Sequence, residues 1–114
     1  MKIRHRKVRK IIIFGCSPHF LNRYLDVLLE YRNTIEVLLV VDLKCREMKI
    51  INALKEKGLN SRAYLFLDEK YRNYPTTKEI NILLSKIPEI YQADAVIVST
   101  EPKAHKAYAL WALG

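Results

Sequence analysis

Apolar residues in this chain fall into two alternating patterns, short solid runs and helically spaced stretches. Lys10-Ile-Ile-Ile-Phe14 is a continuous run followed by Gly15. A run without polar alternation fits a strand buried on both faces, as in a parallel sheet. Ser17-Pro18 comes next, the pair expected of a helix N-cap and first helical residue. Phe20, Leu21, Tyr24, Leu25 and Leu28 then recur at helical spacing and predict a helix to about Tyr31. Ile35 to Val41 is a second solid run, ended by Asp42. A second helix is predicted from Lys44 to Lys57. Met48, Ile51 and Leu54, with Ile50 beside them, form its apolar stripe, and Gly58 is its stop. Arg62 to Leu67 is a third, weaker strand, and Asp68 to Pro75 a polar loop containing tyrosines. Thr76 or Thr77 is placed to cap a third helix running to Lys86, with Ile80, Leu83 and Leu84 inward and Pro88 ending it. Ala95 to Ser99 predicts the fourth strand and Ala104 to Leu113 the fourth helix.

Strand followed by helix, four times over, implies an α/β fold. The expectation is a Rossmann-like parallel sheet of about four strands with flanking helices and right-handed crossovers. At 114 residues the chain is one small domain. No apolar run approaches the roughly twenty residues of a membrane span. Ile11 to Phe14 is too short for a signal-peptide core. Two cysteines, Cys16 and Cys45, make no framework; they allow one bridge but better fit two free thiols in a cytoplasmic protein.

Charge changes this picture at one end only. The formal net charge is +8, but Met1 to Lys10 holds six of the 20 basic residues and none of the 12 acids. Residues 1–10 therefore read as a basic arm leading into the first strand, and residues 7–114 as the folded part. Such an arm can hold nucleic acid, anionic lipid or an acidic partner. A solvated lead-in that discourages edge pairing explains it without any partner, and is favoured.

Three segments carry candidate chemistry. The first is the turn Gly15-Cys16-Ser17-Pro18-His19-Phe20. A dinucleotide turn takes Gly-x-Gly-x-x-Gly: one glycine for the bend, one for backbone approach to pyrophosphate, one for close helix–strand packing. Only Gly15 is kept; Ser17 and Phe20 stand at the other two places. The Ser17 hydroxyl can cap the helix or touch phosphate, and the Phe20 ring is expected to push the helix outward. An ordinary strand–helix turn accounts for the segment equally well. The second is Asp42, which suits the ribose hydroxyls of NAD and repels a 2′-phosphate. Arg46, four residues on, suits that phosphate instead, and Asp42 can also serve as the cap of the second helix. The third is Ser99-Thr100-Glu101-Pro102-Lys103-Ala104-His105.

With Asp94-Ala-Val-Ile-Val before it and Gly114 after it, this third segment resembles the glucose–fructose oxidoreductase / inositol dehydrogenase (Gfo/Idh/MocA) family. Members carry an Asp-Ala-Val strand, then Ser/Thr-Thr-Pro-x-x-x-His, then a helix closed by glycine. Thr100, Pro102 and His105 fall at matching places, and Glu101 replaces a frequent proline. The resemblance spans Lys7 to Gly114 and implies an NAD(P)-binding Rossmann half of an oxidoreductase. It implies cofactor contacts at Thr100 and Pro102, with His105 opening the next helix; with the two earlier segments, the expected cofactor-binding set is Gly15, Ser17, Pro18, His19, Asp42, Arg46, Thr100, Pro102 and His105. Asp42 favours NAD over NADP. The family's catalytic lysine lies in a Glu-Lys-Pro motif after strand five, so Glu101-Pro102-Lys103 is not that motif and no catalytic residue is assigned.

The expected strand order is 3-2-1-4, the half that holds adenosine and pyrophosphate. Such a chain is expected to be a truncated or split component, not catalytic alone. Its fourth strand would have an open apolar edge, which implies a homodimer or a complementing chain. The competing class is a non-catalytic nucleotide-sensing, protein-binding or nucleic-acid-binding module on the same fold. Other chemistry is unsupported. His5, His19 and His105 with the two cysteines lack zinc spacing. Cys16 is either a thiol activated by a helix N-terminus or a packing residue. Tyr64, Tyr71 and Tyr74, near Arg62 and Arg72, are either base-stacking or loop-to-core residues.

Overall fold

The computed structural model describes residues 9–18, 20–72, 76–87, 92–100, 106, 108–110 and 112. Four strands, β1 (Arg9–Phe14), β2 (Ile35–Leu43), β3 (Ser61–Leu67) and β4 (Ala95–Val98), form one sheet in the order β3-β2-β1-β4. All three pairings are parallel. The Rossmann-like α/β arrangement expected from the sequence is therefore present. The solid runs occupy the two central strands, where both faces are covered. Alternation along β1 sends its side chains to opposite sides. Ile11 and Ile13 join Phe20, Leu25, Ile50 and Leu54 in one core, and Ile12 and Phe14 join Ile80, Leu84 and Tyr108 in the other.

Helices α1 (Leu25–Glu30) and α2 (Glu47–Glu56) cover the first face, and α3 (Thr77–Leu84) the second. Residues 106, 108–110 and 112 are also helical. The arm residues 1–8, and Tyr74, Pro88, His19, Pro102 and His105, for which the sequence carried expectations, lie outside the described residues.

Two helical stripes differ from the sequence expectation. Pro18 does open the first helix, but a wide π-helical turn, Phe20–Tyr24, precedes α1. A π turn brings residues five apart onto one face, so Phe20 and Leu25, 0% and 1% exposed, both point inward. Tyr24, inward on a regular 3.6-residue period, is instead 50% exposed. Phe20 does not force the helix off the sheet, because the widened turn seats its ring in the core. In α2 the stripe is Ile50 and Leu54, four apart and buried, while Met48 is 68% exposed. A 3-10 turn, Lys44–Arg46, separates β2 from α2 and resets the phase of the helix.

Two ends follow the sequence closely. Gly58 has φ +76. The N–H of Leu59 donates to the Leu54 carbonyl and that of Gly58 to Lys55, the paired bonds of a glycine-terminated helix. Thr76 and Glu79 form a reciprocal capping box at the start of α3, each satisfying a backbone N–H of the other.

Candidate functional site

In a doubly wound sheet, ligands bind at the carboxyl ends of the strands where the winding reverses. Here β2 and β3 lie to one side of β1 and β4 to the other, so the reversal falls between β1 and β4. The turn after β1 begins at Gly15, and the turn after β4 holds Ser99 and Thr100. The N–H of Ser99 donates to the Phe14 carbonyl and that of Gly15 to the Val41 carbonyl, each at 2.7 Å. The ladder thus continues one residue past the strands and fixes both turns.

Gly15 has two reasons to be glycine. Its φ is +84, in the left-handed region. A Cβ there would lie 2.6 Å from the Ser99 carbonyl oxygen and 2.7 Å from the Thr100 Cα. The clash is with the chain's own backbone, so the close packing of the two turns accounts for this glycine without any ligand.

Ser17 sits one turn on. Its Oγ accepts the Phe20 N–H at 3.2 Å and lies 2.8 Å from the Ser99 Oγ. The first bond is the N-cap expected from the sequence; the second ties the β1 turn to the β4 turn. Pro18 is exposed beside it. The Thr100 Oγ1 is buried with no hydrogen-bond partner among the described residues, an unusual state for a buried hydroxyl.

Asp42 is 8% exposed, and lies within β2 instead of after it. Its Oδ2 accepts the Cys16 N–H and its Oδ1 the Leu43 N–H, both at 2.7 Å. The carboxylate therefore locks the glycine turn onto the end of β2. It does not cap the second helix: the residue at that N-cap is Arg46, with no side-chain cap bond. Lys44 is exposed and Arg46 half-buried on the intervening turn. Arg46 is near enough to act on the Cys16 thiol.

The field of this site acts on its neighbours. Burial pushes the Cys16 thiol up to about 12; Asp42 adds to the shift and Arg46 opposes it. Cys16 is thus a packing thiol, not one activated by the helix N-terminus. Neither cysteine is in a disulfide; Cys16 is buried and Cys45 exposed. Tyr108, which the sequence did not single out, is buried with its ring centroid 4.7 Å from that of Phe14. Its hydroxyl is likewise raised by burial, then by Asp42. Two of the tyrosines singled out in the sequence, Tyr64 and Tyr71, make packing contacts. Tyr64 stacks on Phe66, and Tyr71 packs against the core under the Lys70 ammonium. Arg62 pairs with Glu36 across β3 and β2.

Of the predicted site residues, Gly15, Ser17, Pro18, Asp42, Arg46 and Thr100 come together around the carboxyl ends of β1, β2 and β4. Ser99 joins them, although its spacing alone did not mark it. Among the described residues no three His, Cys, Asp or Glu side chains gather as a metal site, and no helix is long and apolar enough to cross a membrane. The fold defines a Rossmann-like α/β protein. Compared with protein-family models, curated proteins and solved structures, the chain matches none.

The Ser17 and Thr100 hydroxyls both stand at the reversal point, the second without a partner among the described residues. Each Asp42 oxygen already accepts one amide and keeps one lone pair.

Proposed function

We propose that this chain is the NAD(P)-binding portion of an oxidoreductase of the Gfo/Idh/MocA type, holding the adenosine and pyrophosphate half of the cofactor. The observation that carries this reading is the meeting of Gly15, Asp42 and Thr100 at the one point where the sheet reverses its winding. Residues separated by more than eighty positions in sequence converge there, as dinucleotide recognition requires. Gly15 and Cys16 bring backbone close to the pyrophosphate, and Ser17 offers a hydroxyl to it. Asp42 uses its remaining lone pairs for the ribose hydroxyls, and Arg46 is the residue that would meet a 2′-phosphate. When bound, the cofactor supplies hydride transfer; none of the residues described here is assigned a catalytic role. Calorimetric titration with NADH and with NADPH tests the reading. Saturable binding of either form below millimolar concentration is expected, and no heat from either at millimolar ligand overturns it.

The same reading gives the outer edge of β4 a partner, a second copy of this chain. Ala95–Val98 carries no charge and lies beside an apolar groove of about 390 Å³, lined by Tyr24, Val27, Leu28, Ile97, Val98 and Ser99. An uncharged edge can pair with its own copy about a two-fold axis without setting like charges opposite one another. Sedimentation at tens of micromolar is expected to give twice the monomer mass; a monomer there contradicts the homodimer.

A further inference from the structure

We propose that Ser99 is a positioning residue for anion binding, acting through the hydroxyl of Ser17. The inference rests on the dinucleotide reading above and assigns a role to a residue outside its contact set. A serine hydroxyl has one proton and two lone pairs. One Ser17 lone pair is filled by the Phe20 N–H. The bond to Ser99, at 2.8 Å, can run either way. If Ser17 donates, its proton is spent and it has nothing to offer an anion. If Ser99 donates, both Ser17 lone pairs are filled, and its remaining capacity is an O–H free to point into the crevice.

A phosphate oxygen selects the second arrangement, since it can only accept. Ser99 then does three things. It fixes the Ser17 side chain, it fills the lone pair that would otherwise face the anion, and it polarises the outgoing O–H. The backbone holds it in place to do so, because the Ser99 N–H is bonded to the Phe14 carbonyl and its carbonyl packs against Gly15. This pair compensates for the departure of the turn from glycine at position 17. A glycine would bring the backbone itself to the pyrophosphate; Ser17 brings a hydroxyl whose direction Ser99 sets.

The experiment is a double-mutant cycle read by calorimetry, using whichever of NADH and NADPH binds the wild-type chain more tightly. Ser99→Ala is expected to weaken binding about 3- to 10-fold, the range of one neutral hydrogen bond. In a Ser17→Ala background the same change is expected to have no further effect, because Ser99 acts through Ser17 alone. Ser99→Thr keeps the hydroxyl and is expected to bind as the wild type does. A merely structural role would weaken binding by the same factor in both backgrounds. That additive result overturns the proposal, and so does a Ser99→Ala chain that binds as tightly as wild type or more so. Should Ser99→Ala not fold, Ser99→Cys, a weak donor, is carried through the same cycle with the same two outcomes. Failure of the wild type to bind either dinucleotide overturns the dinucleotide reading itself, and this inference with it.

Discussion

Gly15→Ala is expected to destabilise the fold by about 3–5 kcal/mol. Two costs add. A non-glycine residue at positive φ carries roughly 1–2 kcal/mol of strain. The new Cβ would also lie 2.6 Å from the Ser99 oxygen and 2.7 Å from the Thr100 Cα. Both are backbone atoms held by the sheet ladder, so neither can yield cheaply. Gly58 separates the two costs. Its φ is +76, but a Cβ there meets nothing within 4 Å. Gly58→Ala should therefore show the strain alone, about 1–2 kcal/mol. Urea unfolding midpoints of the two variants give the comparison. Equal losses would mean that the β1 and β4 turns are not packed together as described.

Asp42→Ala is expected to cost about 3 kcal/mol, because it strands two buried amides at once. The Cys16 and Leu43 N–H groups each donate to a separate carboxylate oxygen at 2.7 Å. Asp42→Asn is expected to be nearly as harmful. A carboxamide has one acceptor oxygen, and its NH₂ would face the second amide donor. Asp26 supplies the contrast. It is 3.6 Å from Lys57 and largely exposed, so Asp26→Ala should change stability by less than about 0.5 kcal/mol. An Asp42→Asn chain as stable as wild type would show that the carboxylate is not the lock of the turn. The same variants make poor probes of ligand contact, since they disturb the turn whether or not a ribose is present.

The strands were legible because solid apolar runs such as Ile11–Phe14 have one stable use, a strand covered on both faces. The caps were legible for a similar reason. Thr76 and Glu79, and Gly58 after Lys57, satisfy helix-end groups by local geometry that sequence spacing encodes. The phase of the first two helices was not. Whether Tyr24 or Leu25 follows Phe20 inward depends on one extra residue in a turn, and a π turn has no composition of its own. The 3-10 turn Lys44–Arg46 hides the phase of α2 in the same way. At the candidate site, Gly15, Ser17, Asp42 and Thr100 could be marked from motif positions. Their bonding could not. That Asp42 reaches back to the Cys16 amide, and Ser17 across to Ser99, depends on the sheet order bringing positions 26 and 82 residues apart into contact.

The central claim is that the crevice between the β1 and β4 turns receives a dinucleotide. Amide-resolved NMR of the uniformly labelled chain during an NADH or NADPH titration tests it most directly. The account predicts saturable shifts concentrated at Gly15, Cys16, Ser17, Leu43, Ser99 and Thr100, with β3 and the far ends of the strands unmoved. Shifts confined to other surfaces, or none at millimolar ligand, would contradict it.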